Sequence, residues 1–224
     1  YSWGRPFKLV SEIYYKDLQN LIPYKVENVR IKYLAENNSN GFATGIDLKI
    51  NGEFVPGVES WASLSIMKTM EDIEGDFYLD DPTGDTIYPG FIPRPTDQRI
   101  NFSMFFQDYL PGNPNYKMHL SMIYGTGLPF GPPKSKKYQD ILKMPDYRRV
   151  DIGFSAVLKT ENKKSRIRIL NKLNNMWIST EVFNLLDIDN TVSYLWVSDV
   201  SGRQYAVPNY LTQRQINFKL IIGI

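Results

Sequence analysis

Residues 213–224 read QRQINFKLIIGI, and the alternation in this stretch decides the fold. Ile216, Phe218, Leu220, Ile222 and Ile224 are large and apolar, with Asn217, Lys219, Ile221 and Gly223 between them. A period of two puts the first set on one face of a β-strand and the second set on the other. Two environments suit such a strand. A soluble sheet buries the apolar face under a second layer, whereas an outer-membrane barrel turns it to lipid and keeps the polar face for its lumen.

The same pattern recurs upstream. Residues 116–124 alternate Tyr116, Met118, Leu120, Met122 and Tyr124 against Lys117, His119, Ser121 and Ile123. With ~3.3 Å per residue and ~40° of tilt, the two tyrosines lie roughly 20 Å apart along a membrane normal, the height of a lipid band flanked by aromatic girdles. Further strands are expected at residues 7–18, 42–51, 58–69, 100–107, 150–159 and 176–186. The Asn51-Gly52 pair reads as the opening of a short connection that ends near Gly57, and residues 110–114 (LPGNP) as a tight reversal. Residues 19–40, 70–99, 125–148 and 187–212 read as long loops, and residues 160–175 as a basic connection with a turn or two of helix around Ile167 to Leu173. Long connections therefore collect at one end of about eight up-and-down strands. Outer-membrane barrels have this asymmetry; a soluble sandwich has no reason for it.

Composition narrows the function classes. The 224 residues carry 26 basic and 24 acidic side chains, and no basic run with interleaved aromatics points to nucleic acid. Cysteine is absent, which excludes disulfides, zinc–cysteine sites and thiol catalysis. With 15 Tyr and 12 Phe the chain favours strands. No apolar run approaches the ~20 residues of a spanning helix, but barrel strands need only ~9–11. Residues 1–7 (YSWGRPF) show neither an initiating Met nor a signal-peptide h-region, which suits a mature secreted protein or a piece of a longer chain.

No catalytic set stands out. Serines lack a G-x-S-x-G context, and His119, the single histidine, has no partners for a transition-metal site. Residues 71–85 (EDIEGDFYLDDPTGD) hold Glu71, Asp72, Glu74, Asp76, Asp80, Asp81 and Asp85. Carboxylates suit calcium, but the spacing is not that of an EF-hand, and the segment reads as a solvated loop. GTGLPFG at 125–131 lacks the Gly-Lys-Ser/Thr ending of a phosphate loop and reads as a flexible loop base. Aromatics in the long loops are the candidate substrate contacts: Tyr78, Tyr88, Phe130, Tyr194 and Trp196, with Phe91, Tyr138, Tyr205 and Tyr210 beside them. Lys117, His119, Asp151 and Glu181 fall on polar strand faces and are expected to line a lumen.

Three stretches resemble one family. TEVFNLLDIDN (180–190) looks like the strand end near the C-terminus of TonB-dependent outer-membrane receptors. MPDYRRVDIGFSAVL (144–158) resembles the strand entry before it, and YAVPNYLTQRQINFKLIIGI (205–224) the closing strand, although the family usually ends on Phe rather than Ile. The likeness is strongest to the subgroup with an N-terminal carboxypeptidase-regulatory-like domain. It implies an all-β, antiparallel up-and-down transmembrane barrel, with the eight or so strands here being the C-terminal part of about 22. It further implies a bacterial outer-membrane location and uptake of a nutrient such as a siderophore, glycan or peptide. The implied partners are TonB, acting through a plug domain and TonB box absent from these residues, outer-membrane lipid and a surface lipoprotein. No enzyme activity and no cofactor are implied. Two other readings fit the pattern alone: a complete eight-stranded outer-membrane adhesin, and a soluble carbohydrate-binding β-sandwich with a second buried sheet.

Overall fold

The computed structural model describes residues 7–27, 30–80, 82–133, 136, 141–160 and 173–223. In chain order these form β1 (Phe7–Leu21), a hairpin of β2 (Tyr24–Glu27) and β3 (Arg30–Tyr33), β4 (Ser39–Val55) and β5 (Val58–Ile73). Three two-residue pieces follow, β6 (Tyr78–Leu79), β7 (Thr86–Ile87) and β8 (Ile92–Pro93), then β9 (Ile100–Leu110) and β10 (Asn113–Gly125). The chain continues through β11 (Pro129–Phe130), β12 (Leu142–Lys143), β13 (Tyr147–Lys159) and β14 (Asn175–Phe183). A second hairpin, β15 (Thr191–Ser198) and β16 (Gln204–Tyr210), precedes β17 (Gln215–Gly223). The architecture is all-β, and every ladder is antiparallel.

The long strands make one sheet in the order β1-β4-β5-β9-β10-β13-β14-β17, with β8 added beside β5. Its register aligns the apolar sets of successive strands. Ile13, Ile46, Ile66 and Ile100 stand in one cross-strand row. Phe106, Leu120, Ile152, Val182 and Ile216 form another. Met118, Phe154, Thr180 and Phe218 lie in the next. Among the described residues no second layer covers this face: Ile13 is 81% and Phe218 73% exposed. The buried aliphatic side chains among the described residues are only Val58, Ile73, Ile92 and Ala156. The opposite face is polar and knits to itself, with Ser63 and Ser103 hydroxyls 2.8 Å apart, Ser65 donating to Asp47 at 2.5 Å and Asn217 donating to Glu181 at 3.1 Å. The sheet is open. Among the described residues no ladder joins β1 to β17, and each has a partner on one side only.

Local chemistry sets the reversals. Val55-Pro56-Gly57-Val58 and Leu110-Pro111-Gly112-Asn113 use the same device: Pro fixes φ at the second position, and Gly takes the positive φ (83° at Gly57, 77° at Gly112) at the third. Asn51-Gly52 is therefore no turn. It lies inside β4, just before a register shift that ends at Val55. The long-loop expectation for 19–40 is also corrected, because Tyr24 faces Tyr33 with rings 5.8 Å apart and 22–38 contains a hairpin. The expected helical turns around Ile167 to Leu173 fall almost wholly outside the described residues.

The sequence pattern carries the seventh long strand to residue 186; the strand ends at Phe183. Asn184 and Asp187 adopt left-handed φ values of 51° and 56°, which their short polar side chains tolerate. The buried Asn184 amide closes a small ring, accepting from Ile188 N at 3.2 Å and donating to Ile188 O at 3.0 Å. Asn190, also buried, pairs its amide with the Arg148 backbone in both directions at 2.8 Å, as a strand partner would. The FNLLDIDN segment is thus a compact knot that seals the edge of β13. Asn190→Ala leaves the Arg148 N–H and C=O without these partners and is expected to cost about 1–3 kcal/mol. Equilibrium unfolding of the variant checks this, and an unchanged midpoint would show that the amide is dispensable.

Candidate functional site

Four connections, 22–38, 74–99, 126–146 and 184–214, leave the sheet at one end. They interlock through specific contacts. From the β2–β3 hairpin, Lys25 donates from Nζ to Pro133 O at 2.6 Å and pairs with Glu27 at 2.9 Å. The Lys25 ammonium hydrogen-bonding to it, and after it the charges of Lys25 and Lys32, hold the Glu27 carboxyl below its ordinary range. Lys136 donates to Phe77 O at 3.0 Å and sits 5.0 Å from the Phe77 ring centroid. Phe130 stacks on Tyr194 of the β15–β16 hairpin at 4.6 Å and 8°, with Trp196 at 6.1 Å. Lys25, Val26, Pro93, Pro95, Phe130 and Lys136 line a cleft of about 40 Å³ between these loops. It has room for a few waters rather than a nutrient.

The 74–99 connection is anchored by ion pairs in the sheet itself. Glu71 is fully buried with Arg94 Nε 3.6 Å away. Asp97, equally buried, accepts from Thr69 N at 2.8 Å and from Arg99 Nε at 2.7 Å. Glu71 is therefore not part of a solvated acidic loop. Asp76 is buried as well, and burial followed by the Asp72 charge pushes its carboxyl up. Glu74 and Asp85 are exposed as expected, and Thr83 donates to Asp80 at 2.9 Å; Asp81 lies outside the described residues. Among the described residues no three metal-ligating side chains converge.

GTGLPFG forms a hydrogen-bonded loop base. Thr126 exchanges backbone and hydroxyl hydrogen bonds with Ile100, and a Cβ on Gly127 would collide with Met144 O. Asp146 fastens this base: Tyr124 Oη donates to it at 2.8 Å, Gly127 N at 3.1 Å, and Arg148 stands 3.8 Å away.

Of the five predicted substrate aromatics, Phe130, Tyr194 and Trp196 come together. Tyr88 is strongly exposed beside Phe77, at 6.4 Å, and Tyr78 is half-buried in β6. Phe91 turns the other way, edge-on to Phe42 at 5.5 Å on the apolar face. Tyr205 and Tyr210 sit in β16, and Tyr138 lies outside the described residues. Lys117, His119, Asp151 and Glu181 all occupy the polar face. His119 stands opposite Gly153, which in turn faces Glu181. The missing side chain at Gly153 is what lets the imidazole lie there, since a Cβ would collide with the ring. Asp151 is engaged, accepting from Arg149 Nε at 2.7 Å and Asn184 N at 2.8 Å. Sequence reasoning missed the buried Glu71–Arg94 and Asp97–Arg99 pairs and the Trp61–Phe105 cross-strand pair next to His119. No spacing signals them, because each depends on cross-strand register or on a loop returning to its strand.

No protein-family model matches this chain, and no curated protein or solved structure matches it either.

Asp146 gives the loop base a pH dependence. Hydrogen bonds from Tyr124 and Gly127 hold its carboxyl below the ordinary 3.8. A depressed folded value means that the charged form stabilises. The contribution is whole above the ordinary value and disappears as pH falls through the folded one. Asp146→Asn should therefore flatten the acid limb of a stability–pH series. A variant limb that overlays the wild type would rule the anchor out.

Proposed function

We propose that this chain is the C-terminal part of a TonB-dependent receptor barrel in the bacterial outer membrane. In this reading it supplies wall and outer loops for the import of a nutrient. The observation that carries the reading is the uncovered apolar face, held in register across all eight long strands opposite a polar, self-bonded one. Lipid would cover the first face, and the second would line the lumen with Lys117, His119, Asp151 and Glu181. The collection of the four longest connections at one end supports the same reading. So does the open sheet: a spanning barrel has no free edge, so β1 and β17 would each pair with strands outside this chain. TonB would act through a region outside it as well.

The rival readings have less support. A β-sandwich needs a second sheet ~10 Å away over the apolar face, and none is found among the described residues. A complete eight-stranded barrel needs a β1–β17 ladder. In the proposed reading Phe130, Tyr194 and Trp196 present a stacked aromatic wall to incoming substrate, and the chain has no catalytic role.

Leu120 and His119 are neighbours on opposite faces and test the orientation. Leu120→Arg, at the middle of an apolar row, is expected to cost roughly 2–4 kcal/mol, with His119→Arg close to neutral. Folding of the intact protein into lipid vesicles at graded denaturant measures both. The reverse ranking would sink the assignment of faces. Independently, nutrient uptake by cells carrying the protein should stop when the proton-motive force is collapsed. Uptake that persists would sink the transport role.

A further inference from the structure

On the apolar face, four isoleucines and two cations share one hollow. Ile13, Ile46, Ile66 and Ile100 form a row in register across four strands, and they line an open concavity of about 610 Å³ together with Thr44, Lys68 and Arg99. The hollow has a direction. One row toward the loops, Tyr15, Thr44 and Lys68 face one another in register. Thr44 spends its hydroxyl on Tyr14 O at 3.0 Å, so this short side chain leaves a notch between Tyr15 and Lys68. One row further, Phe42 stacks with Tyr15 at 6.1 Å and meets Phe91 edge-on at 5.5 Å. Apolar row, cation and aromatic rim succeed one another from the sheet's middle toward its loop end.

The cations are differently held. Lys68 is exposed, with its Nζ 6.0 Å from the Phe42 ring centroid, and no carboxylate pairs with it among the described residues. Arg99 is fixed. Buried Asp97 takes its Nε edge at 2.7 Å, and Nη2 lies 3.9 Å from the Met70 sulfur, which leaves the guanidinium parked at the end of the hollow. A positive charge on an apolar face is expensive unless an anion meets it, and an ammonium beside a fixed guanidinium suits a phosphate.

We infer that this hollow binds an anionic lipid, one acyl chain lying across the isoleucine row and the headgroup phosphate between Lys68 and Arg99. The inference rests on the reading of this face as lipid-facing and adds a lipid class and a seat to it. Charge complementarity chooses the occupant: a neutral protein partner would leave Lys68 buried and unpaired, whereas a phosphodiester neutralises it at the depth where aromatic side chains flank a lipid band.

The test uses the intact protein in nanodiscs that mix phosphatidylglycerol with phosphatidylcholine, with the retained lipids read by native mass spectrometry. Phosphatidylglycerol should be enriched on the wild type. Lys68→Gln should lower the enrichment about fivefold, the scale of one basic side chain's attraction to an anionic lipid surface. Lys117→Gln, on the opposite face, should leave it unchanged. No enrichment on the wild type, an equal loss in both variants, or displacement by inorganic phosphate alone would each overturn the headgroup seat. An Ile46→Trp variant quenched by brominated acyl chains separates the two levels. Quenching without enrichment sinks the lipid seat alone, and absence of quenching sinks the lipid-facing reading with it.

Discussion

The rest of the structure depends on cross-strand register. Each long strand alternates apolar and polar residues imperfectly on its own, and the ladders turn eight imperfect alternations into two distinct faces. Because side chains repeat every second residue, a slip of one position would send a strand's apolar set to the wrong face. The sheet guards against this where its register changes. Shifts in this sheet fall at the strand ends: between Gly52 and Val55, Asn113 and Lys117, and Val157 and Lys159 at the end away from the four longest connections, and between Leu18 and Leu21 at the other. The middle of each ladder runs without interruption, and that is where the isoleucine and leucine rows lie.

The other end is built on a different principle. There the connections are long, and backbone ladders alone do not hold them. Polar side chains take over: buried Asp97 on the Thr69 amide, buried Asn190 on the Arg148 backbone, and half-buried Asp146 on the Gly127 amide. Each side chain stands in for a missing strand at the point where a ladder stops. A buried amide or carboxylate with both sides satisfied fixes geometry tightly, and it is costly to disturb because its partner is then left bare. The loops above are consequently mounted on hydrogen-bonded bases, with the Phe130–Tyr194–Trp196 stack among them.

Much of the wall was legible in the sequence and little of the rim. Ile216 to Ile222 and Tyr116 to Tyr124 announce strands because the signal is local and periodic. Pro111-Gly112 announces a turn because both residues have the required dihedrals built in. Pro56-Gly57 carries the same information, whereas Asn51-Gly52 is a good turn pair that the β4–β5 ladder overrides by pairing straight through it. Tyr24 to Tyr33 concealed a hairpin because its strands are four residues long and gain stability from facing each other rather than from their own pattern. Glu71 looked like one acid among many. Its burial follows from Arg94, a residue that returns to β5 only because β8 pairs there. Phe130, Tyr194 and Trp196 could be nominated as loop aromatics, but their meeting depends on two connections converging, which no sequence window contains.

The open edges and the uncovered face bear on each other. In water, an unpaired strand edge is tolerable because solvent can satisfy its N–H and C=O groups. In hydrocarbon nothing can, and each bare group costs several kcal/mol. If lipid covers the apolar rows, β1 and β17 must both find strand partners, since their own exposed sets (Leu9, Ile13 and Tyr15 on one; Ile216, Phe218, Leu220 and Ile222 on the other) place those edges at the same depth as the rows. A lipid-facing sheet that stays open is physically inconsistent. In the proposed reading the edges would therefore have to close, and with no β1–β17 ladder among the described residues they would close on other strands.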